Sequence, residues 1–218
     1  REEMTMKANC KKYKWTLILA CIVSICPIIV GLILWNQLPD RIATHFGSGG
    51  EANGWSSKAF TVFGIPGIMT AVELILFFAT TNDPKKRNID EKLMRLILWI
   101  IPVLSLIVNF SCYAIALGKK VDIGMITNVC VGIVFIIMGN YMHRIKQNYT
   151  VGIKLPWTLN SEENWNRTHR MASWLFVLCG ILFIVNGAVL QTEWMVGAAI
   201  LMAVVPGLYS FILYKKGI

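Results

Sequence analysis

The sequence predicts an all-α, polytopic membrane protein with six transmembrane helices and both termini in the cytoplasm, and three observations predict it. The chain of 218 residues is 56% hydrophobic and only 15% charged, with a mean hydropathy of +0.58, far more apolar than a soluble domain. Its apolar residues fall into six runs: Trp15–Trp35, Ala59–Thr80, Leu93–Leu117, Gly124–Met142, Met171–Leu190 and Trp194–Tyr214. Lysine and arginine are concentrated on alternate connections between them.

Each run is about as long as the roughly 20 residues that cross the hydrocarbon at 1.5 Å rise. In lipid a span must satisfy its own backbone, so helices are expected, and the alternation of a barrel strand is not seen. Arg1, Lys7, Lys11, Lys12 and Lys14 precede the first span. Lys85, Lys86, Arg87, Lys92 and Arg95 lie about the second connection, Arg144, Lys146, Lys154, Arg167 and Arg170 about the fourth, and Lys215 and Lys216 follow the sixth span. The other side holds Arg41, Lys58, Lys119 and Lys120 alone. The positive-inside rule therefore puts both termini in the cytoplasm. The formal charge of +9 is accounted for by topology. With no basic domain outside the bilayer, direct nucleic-acid binding is not expected.

The expected organisation is a cytoplasmic tail (1–14), a three-helix half (15–117) with an external loop (36–58), and a second three-helix half (118–218) with a cytoplasmic loop (143–170). The first span resembles a signal peptide in its basic approach. Its apolar core is longer than a typical h-region and lacks an A-x-A site, so an uncleaved anchor is expected. The ILAC stretch ending at Cys21 lies too early in the run for a lipoprotein site. Cys10, Cys21, Cys26, Cys112, Cys130 and Cys179 include none in an external loop and form no C-x-x-C. Packing residues are expected rather than disulfides, a metal site or a bound cofactor. Pro27, Pro66, Pro102 and Pro206 are expected to bend their helices.

Two connections are long. The external one, from Asn36 to Lys58, carries Gly49-Gly50 and Asn53-Gly54, residues that tolerate positive φ, and is read as a turn-rich cap over the helix ends. Trp55 suits the headgroup layer. Glu51 is a candidate partner for His45, though a metal site would need three or four ligands.

The cytoplasmic one reads VGIKLPWTLNSEENWNRTHR from Val151 to Arg170. His143-Arg144-Ile145-Lys146 suits the C-terminal dipole of the fourth helix. Gly152 permits a turn, and Pro156 disfavours helix at Leu155. Asn160 before Ser161-Glu162-Glu163 is a capping-box-like start with Glu163 at N3. From there Glu163, Arg167 and Arg170 share one helical face, and Trp165, His169 and Ala172 or Ser173 another. The fifth helix is thus expected to extend beyond the bilayer. Interfacial anchoring by Trp157 and Trp165 and a docking or ligand surface both fit this chemistry. His143 and His169 are candidates to titrate near neutral pH.

These residues carry a resemblance. Gly139, Asn140, Tyr141, Asn148, Tyr149, Gly152, Ile153, Pro156, Trp157, Thr158, Leu159, Trp165, Thr168, His169 and Arg170 resemble the signature of the SdpI family of bacterial membrane proteins. Leu38, Pro39, Ile42, His45, Phe46, Gly50, Glu51, Gly54, Trp55, Ser57 and Lys58 resemble the domain of unknown function that precedes it. Ala43 stands where proline is usual and Lys154 where arginine is usual; lysine keeps the charge but lacks the planar fork. The resemblance implies immunity against a secreted peptide toxin. It implies a second partner too, a cytoplasmic helix-turn-helix autorepressor sequestered when toxin is present. On that scheme Leu38–Lys58 faces the toxin, and a two-state change reaches the Asn148–Arg170 motif, Lys154 included.

Glu73 is the only acidic residue deep in a span, roughly 21 Å from Ala59 by helical rise, and an intramembrane carboxylate is a functional candidate by default. Arg95 could snorkel toward it, and Asn109, Asn128 and Asn186 could offer hydrogen bonds. Structural pairing and a role in proton or ligand movement are both open. A small inverted-repeat exporter is the rival class, because each half places a long loop after its first helix and Leu38-Pro39 and Leu155-Pro156 begin comparable segments. No H-E-x-x-H, G-x-S-x-G or Walker A motif points to an enzyme.

Overall fold

The computed structural model describes residues 2–47, 50–190 and 195–218. Arg1, Gly49 and Trp194 lie outside the described residues, as do the side chains of Lys7, Cys10 and Lys11. Among the described residues six helices are long and apolar enough to cross a membrane: Lys12–Ile33, Phe60–Thr81, Glu91–Ala116, Ile123–Met142, Glu162–Val189 and Gly197–Lys215. Their bounds agree with the hydropathy reading within a few residues, except that the fifth begins well before Met171. The chain divides into two compact units, Arg1–Asn82 with Glu91–Ile123, and Asp83–Asp90 with Gly124–Ile218.

In the first unit the opening span is broken into α1 (Glu2–Ile25) and α2 (Pro27–Ile33). Pro27 has no N–H to continue the ladder but suits the first turn of a new helix. The next span opens with a π-turn, Phe60–Gly64, leading into α3 (Ile65–Thr81). That turn sits where Pro66 removes the N–H that would otherwise close an α-turn on Val62. α4 (Glu91–Ala116) runs unbroken through Pro102. Two apolar clusters hold the unit: Tyr13, Phe77, Met94 and Leu98, and Leu38, Ile42, Val62, Cys112 and Tyr113.

The connection between α2 and α3 is a β-hairpin, not the turn-rich cap that its glycines suggest. β1 (Arg41–Phe46) pairs antiparallel with β2 (Ala52–Ser57), with Ala43 opposite Trp55 and His45 opposite Gly54. Ile42 is the reason that the hairpin is fixed to the bundle: it is 1% exposed and packs with Leu38, Val62 and Tyr113. Lys58 ties the base, with Nζ 3.2 Å from the Trp35 carbonyl oxygen and 3.4 Å from Asp40 Oδ1.

The second unit comprises α5 (Ile123–Met142), α6 (Pro156–Asn160), α7 (Glu162–Val185), a π-turn at Asn186–Leu190, α8 (Met195–Lys215) and the turn of Asp83–Asp90. α5 and α7 approach closely because small residues face each other. A Cβ at Gly132 would lie 2.6 Å from the Gly180 carbonyl oxygen, and one at Gly139 2.8 Å from that of Ser173. Ser173 Oγ donates to the Gly139 carbonyl at 2.6 Å, a polar contact of the kind that joins helices where no hydrophobic force separates them from lipid. Phe135 packs edge-on against Phe176 and Phe183, with centroids 5.7 and 5.4 Å away. Apolar side chains such as Ile29, Ile75, Leu178 and Leu208 are exposed, as the outer surface of a lipid-facing bundle requires.

Gly132→Leu and Gly180→Leu should each force α5 and α7 apart. The expected loss is about 1–3 kcal/mol, read as a lower melting temperature of the purified protein in lipid nanodiscs. A small-to-large change at Gly197, where a Cβ meets nothing within 4 Å, serves as the control.

Candidate functional site

The segment joining α5 to α7 is held by side chains acting on its backbone. Asn148, fully buried, accepts the N–H groups of Thr150 and Val151 on Oδ1 at 2.9 and 2.7 Å and donates from Nδ2 to the Lys146 carbonyl at 2.9 Å. Gly152 follows at φ +123°, where an L side chain is strained. A Cβ there would also stand 2.5 Å from His169 Nε2. Leu155 is extended, as the residue before proline should be, and Pro156 opens α6 in place of the simple turn expected. Thr158 Oγ1 closes this bend, accepting from the Leu155 N–H at 2.9 Å and donating to the Ile153 carbonyl at 2.8 Å.

α7 begins one residue later than expected: Ser161, not Asn160, is the N-cap, its Oγ accepting the Asn164 N–H at 3.1 Å. Glu163 and Arg167 pair at 2.6 Å on the outer face. The opposite face buries Trp165, Thr168, His169 and Ala172. Trp165 stacks on His169 with centroids 4.0 Å apart and donates from Nε1 to the Ile145 carbonyl at 2.7 Å. His169 accepts the Ile153 N–H on Nε2 at 3.0 Å, while Nδ1 faces the Trp165 carbonyl oxygen at 2.8 Å. Those partners select the neutral tautomer with hydrogen on Nδ1. His169 is a buried fastener in place of the free titrating group its residue type suggests. His143, by contrast, is exposed.

Trp157 turns inward, donating from Nε1 to Ser210 Oγ at 2.8 Å and stacking with Tyr214. Asn164 Nδ2 bonds the Ser210 and Ile218 carbonyls, each at 3.0 Å. The Asp83–Asp90 turn joins the same network. Asp83 Oδ2 accepts the Tyr149 N–H at 2.8 Å and the Thr150 hydroxyl. Gln147, bonded to Lys85 and to the Thr158 and Leu159 carbonyls, fills the remaining gap. Of the motif residues, Asn140, Tyr149, Lys154, Pro156 and Arg170 stay exposed.

In the hairpin, Leu38 is buried and Lys58 tethered, so both are structural. Gly54 leaves room for His45: a Cβ there would lie 2.8 Å from that of His45. His45 Nδ1 meets Asn53 Oδ1 instead of the expected Glu51. Gly50 takes φ +81°, the positive φ expected of it. Pro39, His45, Glu51 and Trp55 are exposed and Phe46 half-buried. Arg41, Asn53 and Ser57 on the strands are exposed as well.

The intramembrane residues sort differently from expectation. Arg95 does not reach Glu73; it pairs with Glu91, four residues back on its own helix, at 2.6 Å. Glu73 Oε2 accepts from Ser24 Oγ at 2.8 Å. Asn186 Nδ2 donates to Asn128 Oδ1 at 3.1 Å, bracing the π-turn against α5, and Asn109 bonds the Ser105 carbonyl. Asp83, Gln147, Ser24, Ser105 and Ser210 were not singled out in the sequence. Their partners lie up to 81 residues away along the chain, and no local pattern marks such pairs. Among the described residues no three His, Cys, Asp or Glu side chains gather as a metal would require.

A bundle of membrane-length helices with a hairpin in one unit and a hydrogen-bonded loop in the other defines a multi-pass membrane protein whose polar segments are themselves folded. Residues 144–214 match the model of the SdpI/YfhL protein family, and residues 22–70 match a domain of unknown function, DUF1648. The chain is 31% identical over 203 residues to the immunity protein SdpI of Bacillus subtilis (strain 168), covering 91% of this chain and 96% of that protein. The chain therefore belongs to the SdpI family. No solved structure matches it.

Replacing Asn148 by Ala strands the Thr150 and Val151 N–H groups, and Gly152→Ala strains the backbone against His169. Each is expected to cost about 1–3 kcal/mol, measurable as faster proteolysis at 145–160 than in wild type.

Proposed function

We propose that this chain is an integral membrane immunity protein of the bacterial cell membrane that protects its cell from a secreted peptide toxin. The observation that carries the reading is nearly full-length similarity to a protein named for immunity. The hairpin is the toxin-facing part in this reading. Ile42 and Leu38 lock it to the helices, so Pro39, His45, Phe46, Glu51 and Trp55 form a preorganised surface that loses little freedom on binding. The lysine and arginine distribution supports a hairpin outside the cell and a motif segment within it.

Within the motif segment, the buried residues serve folding. A cytoplasmic repressor docking there would meet Tyr149, Lys154, Pro156 and Arg170. An exporter built on an inverted repeat is less well supported, because Leu38-Pro39 leads into a β-strand and Leu155-Pro156 into a helix, so the segments that suggested a repeat fold differently.

Two experiments test this. Reporter fusions after Ile218 and within the hairpin turn should report cytoplasmic and external locations respectively; the reverse pattern would overturn the orientation. Expression in a toxin-sensitive bacterium should raise survival. Trp55→Ala should lower protection at least several-fold with unchanged protein level, whereas Ile42→Asp should lower the level itself. Unchanged killing by the wild-type chain rejects immunity to that toxin.

A further inference from the structure

Midway along the first unit, between its two apolar clusters, polar side chains from three helices are buried together. Ser24 on α1 donates to Glu73 Oε2 on α3 at 2.8 Å. Ser105 on α4 donates to the Ser24 carbonyl at 2.8 Å, and Asn109 Nδ2, one turn further, donates to the Ser105 carbonyl at 2.8 Å. Glu73 is 1% exposed and the other three are fully buried. Two acceptors are left without any donor: Glu73 Oε1 and Asn109 Oδ1. No salt bridge among the described residues reaches the carboxyl. Buried polar atoms are almost always partnered, so two orphans of the same sign in one cluster call for a missing hydrogen.

A single proton answers both. Placed on Oε1, it turns that atom into a donor, and Asn109 Oδ1 is the unfilled acceptor of the same cluster. A hard metal cation would need about six oxygens, and among the described residues these two are the buried side-chain oxygens without a partner. We propose that Glu73 is a membrane-buried proton-binding site that holds a proton on Oε1, directed toward Asn109 Oδ1, and releases it reversibly to water.

The residue type supports release. A glutamine would accept from Ser24 and donate to Asn109 just as well, so what a carboxyl adds is the ability to ionise. On release, the O–H electron pair stays on the carboxylate and the proton passes to water. The surroundings are otherwise quiet. On α1 the titratable neighbour is the Cys21 thiol, which feels the Glu73 charge. α4 presents Ser105 and Asn109, and its Tyr113 commits its hydroxyl to the Pro27 carbonyl at 3.2 Å. α2 and the rest of α3 carry no ionisable side chain.

Infrared difference spectroscopy of the whole protein in lipid bilayers tests this without any toxin. Wild type should show the carbonyl stretch of a hydrogen-bonded protonated carboxylic acid that disappears reversibly as pH is raised. The band should be absent in Glu73→Gln and shifted in Asn109→Ala. Circular dichroism and a melting curve close to wild type should confirm that Glu73→Gln folds. No such band at any pH, a band that never titrates, or one indifferent to Asn109 would each overturn the proposal. Its failure is separate from that of the immunity reading, which is tested by survival alone.

Discussion

A polar group taken out of water must find a partner, and between α5 and α7 this chain meets that demand with side chains. Asn148 supplies acceptors for two N–H groups that no helix or strand serves. Thr158 and His169 do the same for Leu155 and Ile153, and Asp83 for Tyr149. The indole of Trp165 occupies the Ile145 carbonyl. A loop satisfied in this way can pack against helix ends where a water-dependent loop could not. The motif linking α5 to α7 is therefore best understood as a folding device whose residue types follow from the backbone groups they must satisfy.

Close packing is the second consequence. Gly152 has no Cβ because the Trp165–His169 stack lies where one would project. Gly132 and Gly180 allow α5 and α7 to touch through backbone, where the lipid supplies no competing hydrophobic drive. In the first unit the same economy appears at Gly31, where a Cβ would fall 2.7 Å from Val62 Cγ1. Shape and hydrogen bonding together commit the buried side chains of both segments to packing.

Much of this was legible in the sequence, and the misses have physical causes. Span positions follow from length and hydropathy, since only helices satisfy a backbone in lipid. The early start of α7 was readable from the Ser161-Glu162-Glu163 cap and the Trp165/His169 spacing, with an error of one residue because Asn160 and Ser161 are both good caps. The hairpin was not readable: a six-residue strand with Arg41 and His45 outward and Ile42 inward offers too short an alternation beside four glycines. Arg95 was misassigned because a carboxylate four residues away on its own helix is a nearer partner than one on another. The seven-residue spacing of Gly132 and Gly139, matched by Gly180 and Gly187, was a signal available and not used. Asp83 left no signal, since its partners lie 66 and 67 residues on.

Hydrogen–deuterium exchange of the protein in lipid nanodiscs is the most direct test that the segment is a built structure. Between α5 and α7 the amides of Tyr149, Thr150, Val151, Ile153 and Leu155 each donate to a side chain rather than to a helix or strand. If that network is what holds the segment, these amides should exchange slowly, on the scale of the flanking helices. Exchange as rapid as that of an unstructured linker would contradict it.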